Sequence, residues 1–278
     1  MSNQVLPVSV VIPCHECADT IDRALLSVER QSRVPRQLIL VDDASADGGR
    51  TLERLCAFKR RSQDLFEDIV VIALLANAGP AQARNVGWER ATGTYVAFLD
   101  ADDAWHPEKL RIQYEWMLNH PQVAMTGHQS RLWEGQDLVA LTGEMRVSPV
   151  SRRQLLLRNF FPTRSVMLKR DLSLRFEPEM KRSEDYHLWL RIVMSGGQAW
   201  LLKWPLAYSF KADFGVSGLS ASLWKMEKAE LDTYSRLRSA GYYSTFVWCG
   251  LALWSLLKFF RRLAFFRNHF PQAVVGDI

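Results

Sequence analysis

The sequence predicts an α/β fold whose core is a doubly wound, largely parallel sheet, and three observations predict it. Apolar runs of strand length alternate with segments of helical spacing, polar or turn residues bound each run, and acidic or turn residues gather just past the carboxyl ends. Runs that are continuously apolar mark strands covered on both faces, and the carboxyl edge of such a sheet is where ligands bind. Composition agrees with this class: 278 residues at 48% hydrophobic content supply a core, and four cysteines are too few for a disulfide scaffold.

Residues 8–12 and 38–41 read as the first two strands. Between them Ile21, Ala24, Leu25 and Val28 repeat at i, i+3, i+4 and i+7, a helix that Asp19 or Thr20 is placed to cap. The second strand runs into Asp42-Asp43-Ala44-Ser45-Ala46-Asp47-Gly48-Gly49. Residues 69–74 give a third strand, Asn77-Ala78-Gly79-Pro80 a turn, and residues 81–91 a helix. The fourth strand, 95–99, ends abruptly in Asp100-Ala101-Asp102-Asp103. Four strands alternating with three helices imply right-handed crossovers and a nucleotide-binding half.

Three carboxylates at a strand tip repel one another, so a divalent cation or a cationic partner is needed to neutralise them. Asp100 and Asp102 are spaced to offer oxygen ligands to a hard ion such as Mg²⁺ or Mn²⁺, which keeps positions open for substrate phosphates. A solvated loop with an Asp capping the helix after Pro107 is the competing reading.

Four segments, in this order and spacing, resemble the family 2 glycosyltransferases: Val10-Val11-Ile12-Pro13; Leu40-Val41-Asp42-Asp43-Ala44-Ser45; Asn77-Ala78-Gly79-Pro80 with Ala83-Arg84-Asn85-Val86-Gly87; and the run from Gly93 to Asp103. Glu184-Asp185 ahead of Leu188-Trp189-Leu190-Arg191 adds a fifth. The likeness covers roughly residues 5–215. It implies a GT-A-like fold, with a Rossmann-like nucleotide-sugar-binding half at 1–106, an acceptor-binding half at 107–220, and a helical appendage at 221–278. Carried over residue by residue, it implies that Asp43 binds the uracil of a UDP-sugar, that Asp42 supports that loop, and that Pro13 and Asp100 lie with the donor. Asp102 is then the ligand of a Mn or Mg ion and Asp185 the general base of an inverting enzyme. Arg84 falls where the family places a basic residue near the donor, and a structural ion-pair partner is the equal alternative.

The chemistry needs these groups. A divalent ion stabilises the departing diphosphate, and a carboxylate takes the proton of the attacking hydroxyl, which inverts the anomeric centre. A glycosidase needs two carboxyls flanking the same bond instead. The expected activity is metal-dependent transfer from a nucleotide-sugar to a glycan, polysaccharide or lipid-linked acceptor. A non-catalytic nucleotide-sugar-binding subunit that scaffolds a membrane assembly is the alternative, and the joint presence of Asp43, Asp102 and Asp185 counts against it. A nucleotidyltransferase leaves Asp185 unexplained.

One departure from the family pattern is Pro13-Cys14-His15-Glu16-Cys17. No second Cys-x-x-Cys completes a zinc site, so the expectation is small residues lining the nucleotide pocket rather than a redox or metal role. In the second half, residues 110–118 read as a helix, 123–133 and 138–142 as a hairpin around Glu134-Gly135-Gln136-Asp137, and 165–168 as a strand. Ser151 caps a helix bearing Leu155, Leu156 and Leu157, and Asp185 opens a helix that Gly196-Gly197 ends, with Trp189 and Leu190 in the core. His187 is expected exposed or hydrogen-bonded. Residues 211–220, with Gly215 and Gly218, resemble a loop that closes over donor or form a plain connection.

Residues 241–257 carry no charge and are rich in aromatics and Leu, and Lys258, Arg261, Arg262 and Arg267 follow among phenylalanines. Two readings stay open: peripheral contact with anionic lipid through 241–267, or a helix packed on its own domain or on a second copy in a homo-oligomer. The net charge of +5 fits either, and nucleic acid is a poor third reading, because the charges form no dense basic stripe beyond Lys59-Arg60-Arg61. No signal peptide is read at the start, so a cytoplasmic location is expected, reaching the cytoplasmic face of the membrane if the tail binds lipid.

Overall fold

The computed structural model describes residues 5–135, 138–211 and 223–269, with side chains as far as 264. The first half alternates strand and helix: β1 (Leu6–Cys14), α1 (Ile21–Glu29), β2 (Pro35–Asp42), α2 (Arg50–Ser62), β3 (Asp68–Ala73), α3 (Pro80–Glu89) and β4 (Tyr95–Phe98). The second half holds β5 (Asp103–Trp105), α4 (Lys109–Leu118), β6 (Val123–Leu132), β7 (Val147–Pro149), α5 (Arg152–Leu157), β8 (Met167–Lys169), α6 (Glu184–Met194) and β9 (Gln198–Ser209). Two helices follow, α7 (Leu223–Ser239) and α8 (Thr245–His269).

One mixed sheet joins the described strands in the order β3-β2-β1-β4-β8-β6-β9-β5, with β7 also on β9. β1 pairs in parallel with β2 and β4, and β2 with β3. β8 runs antiparallel between β4 and β6, and turns the parallel half into the mixed one. The continuous apolar runs are explained by burial on both faces. Val8, Val10 and Ile12 of β1 pack with α1, while Val11 faces the other side beside Trp88 and Phe98. β2 divides the same way, Leu38 and Leu40 against Ile39 and Val41. Burying such side chains contributes roughly 1.5–3 kcal/mol each.

Gly87 sets how closely α3 approaches the sheet. A Cβ there meets Val11 Cγ1 at 2.3 Å, so only glycine lets the helix lie this near β1. Asn85, two residues earlier, takes the Phe176 backbone at both ends: its Nδ2 donates to the carbonyl at 2.8 Å and its Oδ1 accepts the N–H at 3.0 Å. The motif around Arg84 is therefore a docking element.

Several expectations are corrected. Residues 138–142 are not a strand; β9 pairs along β6 from Val123 to Leu132, and β8 meets β6 at Met125 and Thr126. Val139 instead gives its N–H to the Tyr208 hydroxyl at 3.0 Å. Gln136 and Asp137 of the expected turn lie outside the described residues. Neither candidate caps α1: Thr20 donates to the Cys17 carbonyl, and Asp19 accepts from Arg50. The strand expected from Ser165 begins at Met167, after a 3-10 turn at Thr163–Ser165. Ser151 does cap α5, in a capping box with Gln154. His187 is neither exposed nor hydrogen-bonded through Nδ1, and burial pushes it down to about 4.

α8 packs on the body of the protein. Trp248 Nε1 donates to Ser235 Oγ of α7 at 3.2 Å, Trp254 Nε1 to the Leu157 carbonyl at 3.1 Å, and Lys258 and Arg262 pair with Glu230 and Glu227. Its opposite face leaves Phe246, Leu253, Leu257 and Phe260 exposed. The side chains of Phe265, Phe266 and Arg267 lie outside the description. Among the described residues no helix is long and apolar enough to cross a membrane.

Candidate active site

The carboxyl ends of β1, β2 and β4 and the start of α6 surround one cleft of about 920 Å³. Pro13, Asp43, Arg84, Asp100, Asp102 and Asp185 all line it. Residues from every candidate motif thus meet in one place. Asp42 lies behind the wall, where its Oδ1 accepts the Ser45 hydroxyl at 2.5 Å, and Ser45 Oγ in turn accepts the Glu16 N–H at 2.9 Å.

Asp43 holds the Asn77–Gly79 turn by accepting the Ala78 and Gly79 N–H groups on Oδ1 and Oδ2, 2.8 Å each. Each oxygen keeps a further lone pair. His15 comes within 3.1 Å of the Asp43 carbonyl and of the Asn77 amide, at the open side of the same corner. Glu16, Ala44 and Ser183 adopt left-handed backbone conformations, φ 47°, 51° and 55°, beside these functional positions. Strain of this kind persists where surrounding structure over-determines it.

Each acid of the strand-tip cluster has its own basic partner. Arg84 Nη2 binds Asp100 and Nη1 binds Glu184, at 2.7 Å each, and the guanidinium is buried. Burial lowers the Arg84 pKa, but the two carboxylates outweigh it and the net shift is upward. Arg84 forms an ion-pair bridge between the end of β4 and the start of α6, and it also lines the cleft. Asp103 is 3% exposed in its side chain and lies 3.4 Å from Arg164, with Oδ1 lacking a hydrogen-bond partner. Burial drives Asp103 up to about 7, Arg164 opposes, and the Asp100 and Asp102 charges add to the rise. Asp102 pairs with the Lys211 ammonium, and its carbonyl accepts from Arg23.

Asp185 stands at the start of α6, its Oδ2 accepting the Thr163 hydroxyl at 3.0 Å and Oδ1 its neighbour's N–H at 2.6 Å. Burial raises it to about 6, the Glu184 charge adds to this, and Arg84 opposes. A carboxylate held near neutral pH is suited to accept a proton from a hydroxyl.

Cys14 and Cys17 are free buried thiols that line the same cleft. Their mutual hydrogen bond, followed by burial, pushes Cys14 well above its ordinary value, and the same bond lowers Cys17.

Among the described residues no group of three or more His, Cys, Asp or Glu side chains encloses a metal position. Asp102 nevertheless suits a hard divalent ion. It is an oxygen donor facing the cleft with a cation already against it, and one carboxylate suffices where substrate phosphates supply further oxygens.

Sequence reasoning missed Arg164 and Thr163 as neighbours of the site, and read Lys211 only as the start of a loop over the donor or a plain connection. Lys211 arrives through the antiparallel pairing of Asp103 with Ser209, and Thr163 through a turn under β4. Neither pairing leaves a local signal. Gly215 and Gly218 of the expected closing loop lie outside the described residues.

Comparison with known proteins places these features in a family. The model of glycosyl transferase family 2 matches residues 9–173. The putative teichuronic acid biosynthesis glycosyltransferase TuaG of Bacillus subtilis is 28% identical over 251 residues, 90% of this chain and 95% of that protein. The Escherichia coli UDP-Glc:alpha-D-GlcNAc-diphosphoundecaprenol beta-1,3-glucosyltransferase WfgD is 32% identical over 191 residues, 67% of this chain and 69% of its own length. Among solved structures, the mannosyltransferase PcManGT from Pyrobaculum calidifontis, in complex with GDP-Man and Mn²⁺, superposes with a TM-score of 0.66 at 19% identity, covering 99% of this chain and 77% of that one. S. aureus TarS 1–349 with UDP-GlcNAc gives 0.62 at 20% identity, covering 83% and 66%. The shared fold is GT-A.

Proposed function

The chain belongs to glycosyl transferase family 2, and we propose that it transfers a sugar from a UDP-sugar to a hydroxyl of a glycan or lipid-linked acceptor, with inversion and with a Mn or Mg ion at Asp102. The observation that carries this is the meeting, in one cleft, of Asp43, the Asp100–Asp102 pair and Asp185. The relatives named for teichuronic acid synthesis and for a diphosphoundecaprenol-linked acceptor support a cell-surface polysaccharide as the destination.

In this reading residues 1–106 receive the nucleotide, 107–220 the acceptor, and 221–278 form the appendage. The base stacks in the corner made by Pro13, Asp43 and the Asn77–Gly79 turn, with a free lone pair of Asp43 accepting the uracil N–H. Asp100, fixed by Arg84, faces the ribose. A bound divalent ion supplies positive charge for the departing diphosphate oxygen. Asp185 takes the acceptor's proton as its oxygen attacks, and Thr163 and the Tyr186 N–H orient the carboxylate so that a lone pair faces the sugar. The exposed apolar face of α8, with Arg261 beside it, rests on an anionic membrane surface where a lipid-linked acceptor is found.

The test is Asp185→Asn, which keeps size and capping ability but cannot take the proton. Turnover at saturating donor is expected to fall by ~10²-fold or more while the UDP dissociation constant stays near wild type. Near-normal turnover removes Asp185 from the role of base.

A further inference from the structure

Lys211 reaches the aspartate cluster by strand register. β5 runs antiparallel to β9 with Asp103 opposite Ser209, so the residue two beyond Ser209 comes level with the loop just before Asp103. Ser209 Oγ donates to the Lys211 carbonyl at 2.9 Å and holds the backbone there. The ammonium then sits on Asp102 Oδ2, the same oxygen donor that a divalent ion needs.

The three cluster pairs are not equivalent. Arg84 is 6% exposed and Asp103 3%, so the Asp100–Arg84 and Asp103–Arg164 pairs cannot part without stranding a buried charge. The Lys211 and Asp102 side chains are 38% and 31% exposed, and water screens and replaces such a pair at little cost. Asp102 is therefore the acid of the cluster whose cation is free to exchange.

We propose that Lys211 is a resident counter-ion that holds the cation position at Asp102, competes with a divalent ion for it, and yields it when a nucleoside diphosphate offers the ammonium a second anion. This rests on the assignment of Asp102 as the metal carboxylate. Electrostatics gives it a direction. An ion arriving alone must displace the lysine and then sit beside its positive charge, whereas an ion arriving with a diphosphate brings the charge that draws the lysine away. Metal and nucleotide then bind cooperatively, and Lys211 is the source of the coupling.

The experiment titrates Mn²⁺ into nucleotide-free protein, reading free Mn²⁺ by electron paramagnetic resonance, and titrates UDP by calorimetry with and without Mn²⁺. Lys211→Met is expected to tighten Mn²⁺ alone by about fivefold, to weaken metal-free UDP by a similar factor, and so to shrink the coupling between them. Lys211→Arg, which keeps the charge, should behave like the wild type, and Asp102→Asn should lose Mn²⁺ binding. Unchanged or weaker Mn²⁺ affinity in Lys211→Met, with Asp102→Asn still losing it, overturns the proposal and leaves the metal assignment standing. Unchanged Mn²⁺ affinity in Asp102→Asn overturns the metal assignment and, with it, the contested position.

Discussion

Replacing Arg84 by Met tests whether the arginine is a bridge of the fold or a ligand of the donor. The guanidinium is buried between Asp100 and Glu184, bonded to each at 2.7 Å, and Met fills a similar volume without the charge. Removing one partner of a buried ion pair costs about 3–5 kcal/mol, because the remaining charge is left uncompensated. Glu184 is 9% exposed in its side chain and bears the full penalty, while Asp100 at 28% is partly relieved by water, which places the loss near the lower end, about 3 kcal/mol. For a chain of this length each kcal/mol shifts the melting midpoint by about 2–4 °C, so a fall of roughly 6–12 °C is expected. Arg84 is held above its ordinary pKa, so its contribution is fully present at neutral pH and is lost only as the arginine titrates far into alkali. The assay is thermal unfolding by circular dichroism at pH 7.5, repeated on Arg84→Met/Glu184→Gln. The double variant should recover part of the loss because its second change removes a stranded charge. A drop below about 2 °C together with lost UDP affinity would falsify the bridge and make Arg84 a donor ligand.

Turnover at saturating donor should fall as pH drops through about 6, approaching tenfold per unit, because Asp185 is raised to that value and its protonated form accepts no proton; in Asp185→Asn the residual rate should lose this dependence. The raised Asp103 favours the folded state at low pH and loses that contribution as pH rises from about 4 through about 7, so the melting midpoint of the wild type should fall across that range, and the fall should be smaller in Asp103→Asn. Gly87→Ala should destabilise by ~1–3 kcal/mol in urea titration, since its Cβ meets Val11 at 2.3 Å and either α3 or the strand must shift. Phe246→Ser with Leu257→Ser should release the protein from vesicles of anionic phospholipid without moving the melting midpoint, as both side chains are exposed; undiminished co-sedimentation refutes the membrane face.

What the sequence disclosed follows the range of the interactions involved. The runs of β1, β2 and β4 were legible because burial on both faces writes itself into consecutive residues, and Ser151 with Gln154 because a capping box spans three positions. The first two acids of the cluster were legible as a spaced pair at a strand end. Of their partners only Arg84 was singled out, with its role left open; its second acid, Glu184, lies a hundred positions away, and Lys211 meets Asp102 only through the register of β5 on β9. The hairpin read into 123–142 failed for a related reason. The local composition of 123–133 marks β6 as a strand, and says nothing of which neighbours pair with it. At the tail, aromatic content was visible but its direction was not: one face of α8 packs on α7 and α5, and the other stays bare.

Because Asp100, Asp102 and Asp103 each carry a basic partner from within the chain, the charge at the tip of β4 is balanced as soon as the polypeptide folds. Ripening of the enzyme is thereby separated from metal supply: the nascent chain needs no ion to close its sheet, and a chelator strips no support from the scaffold. Its melting curve should be the same in EDTA as in buffer. If an ion binds at Asp102 as proposed, a thermal shift taken without nucleotide should understate it, and added nucleotide should enlarge the shift.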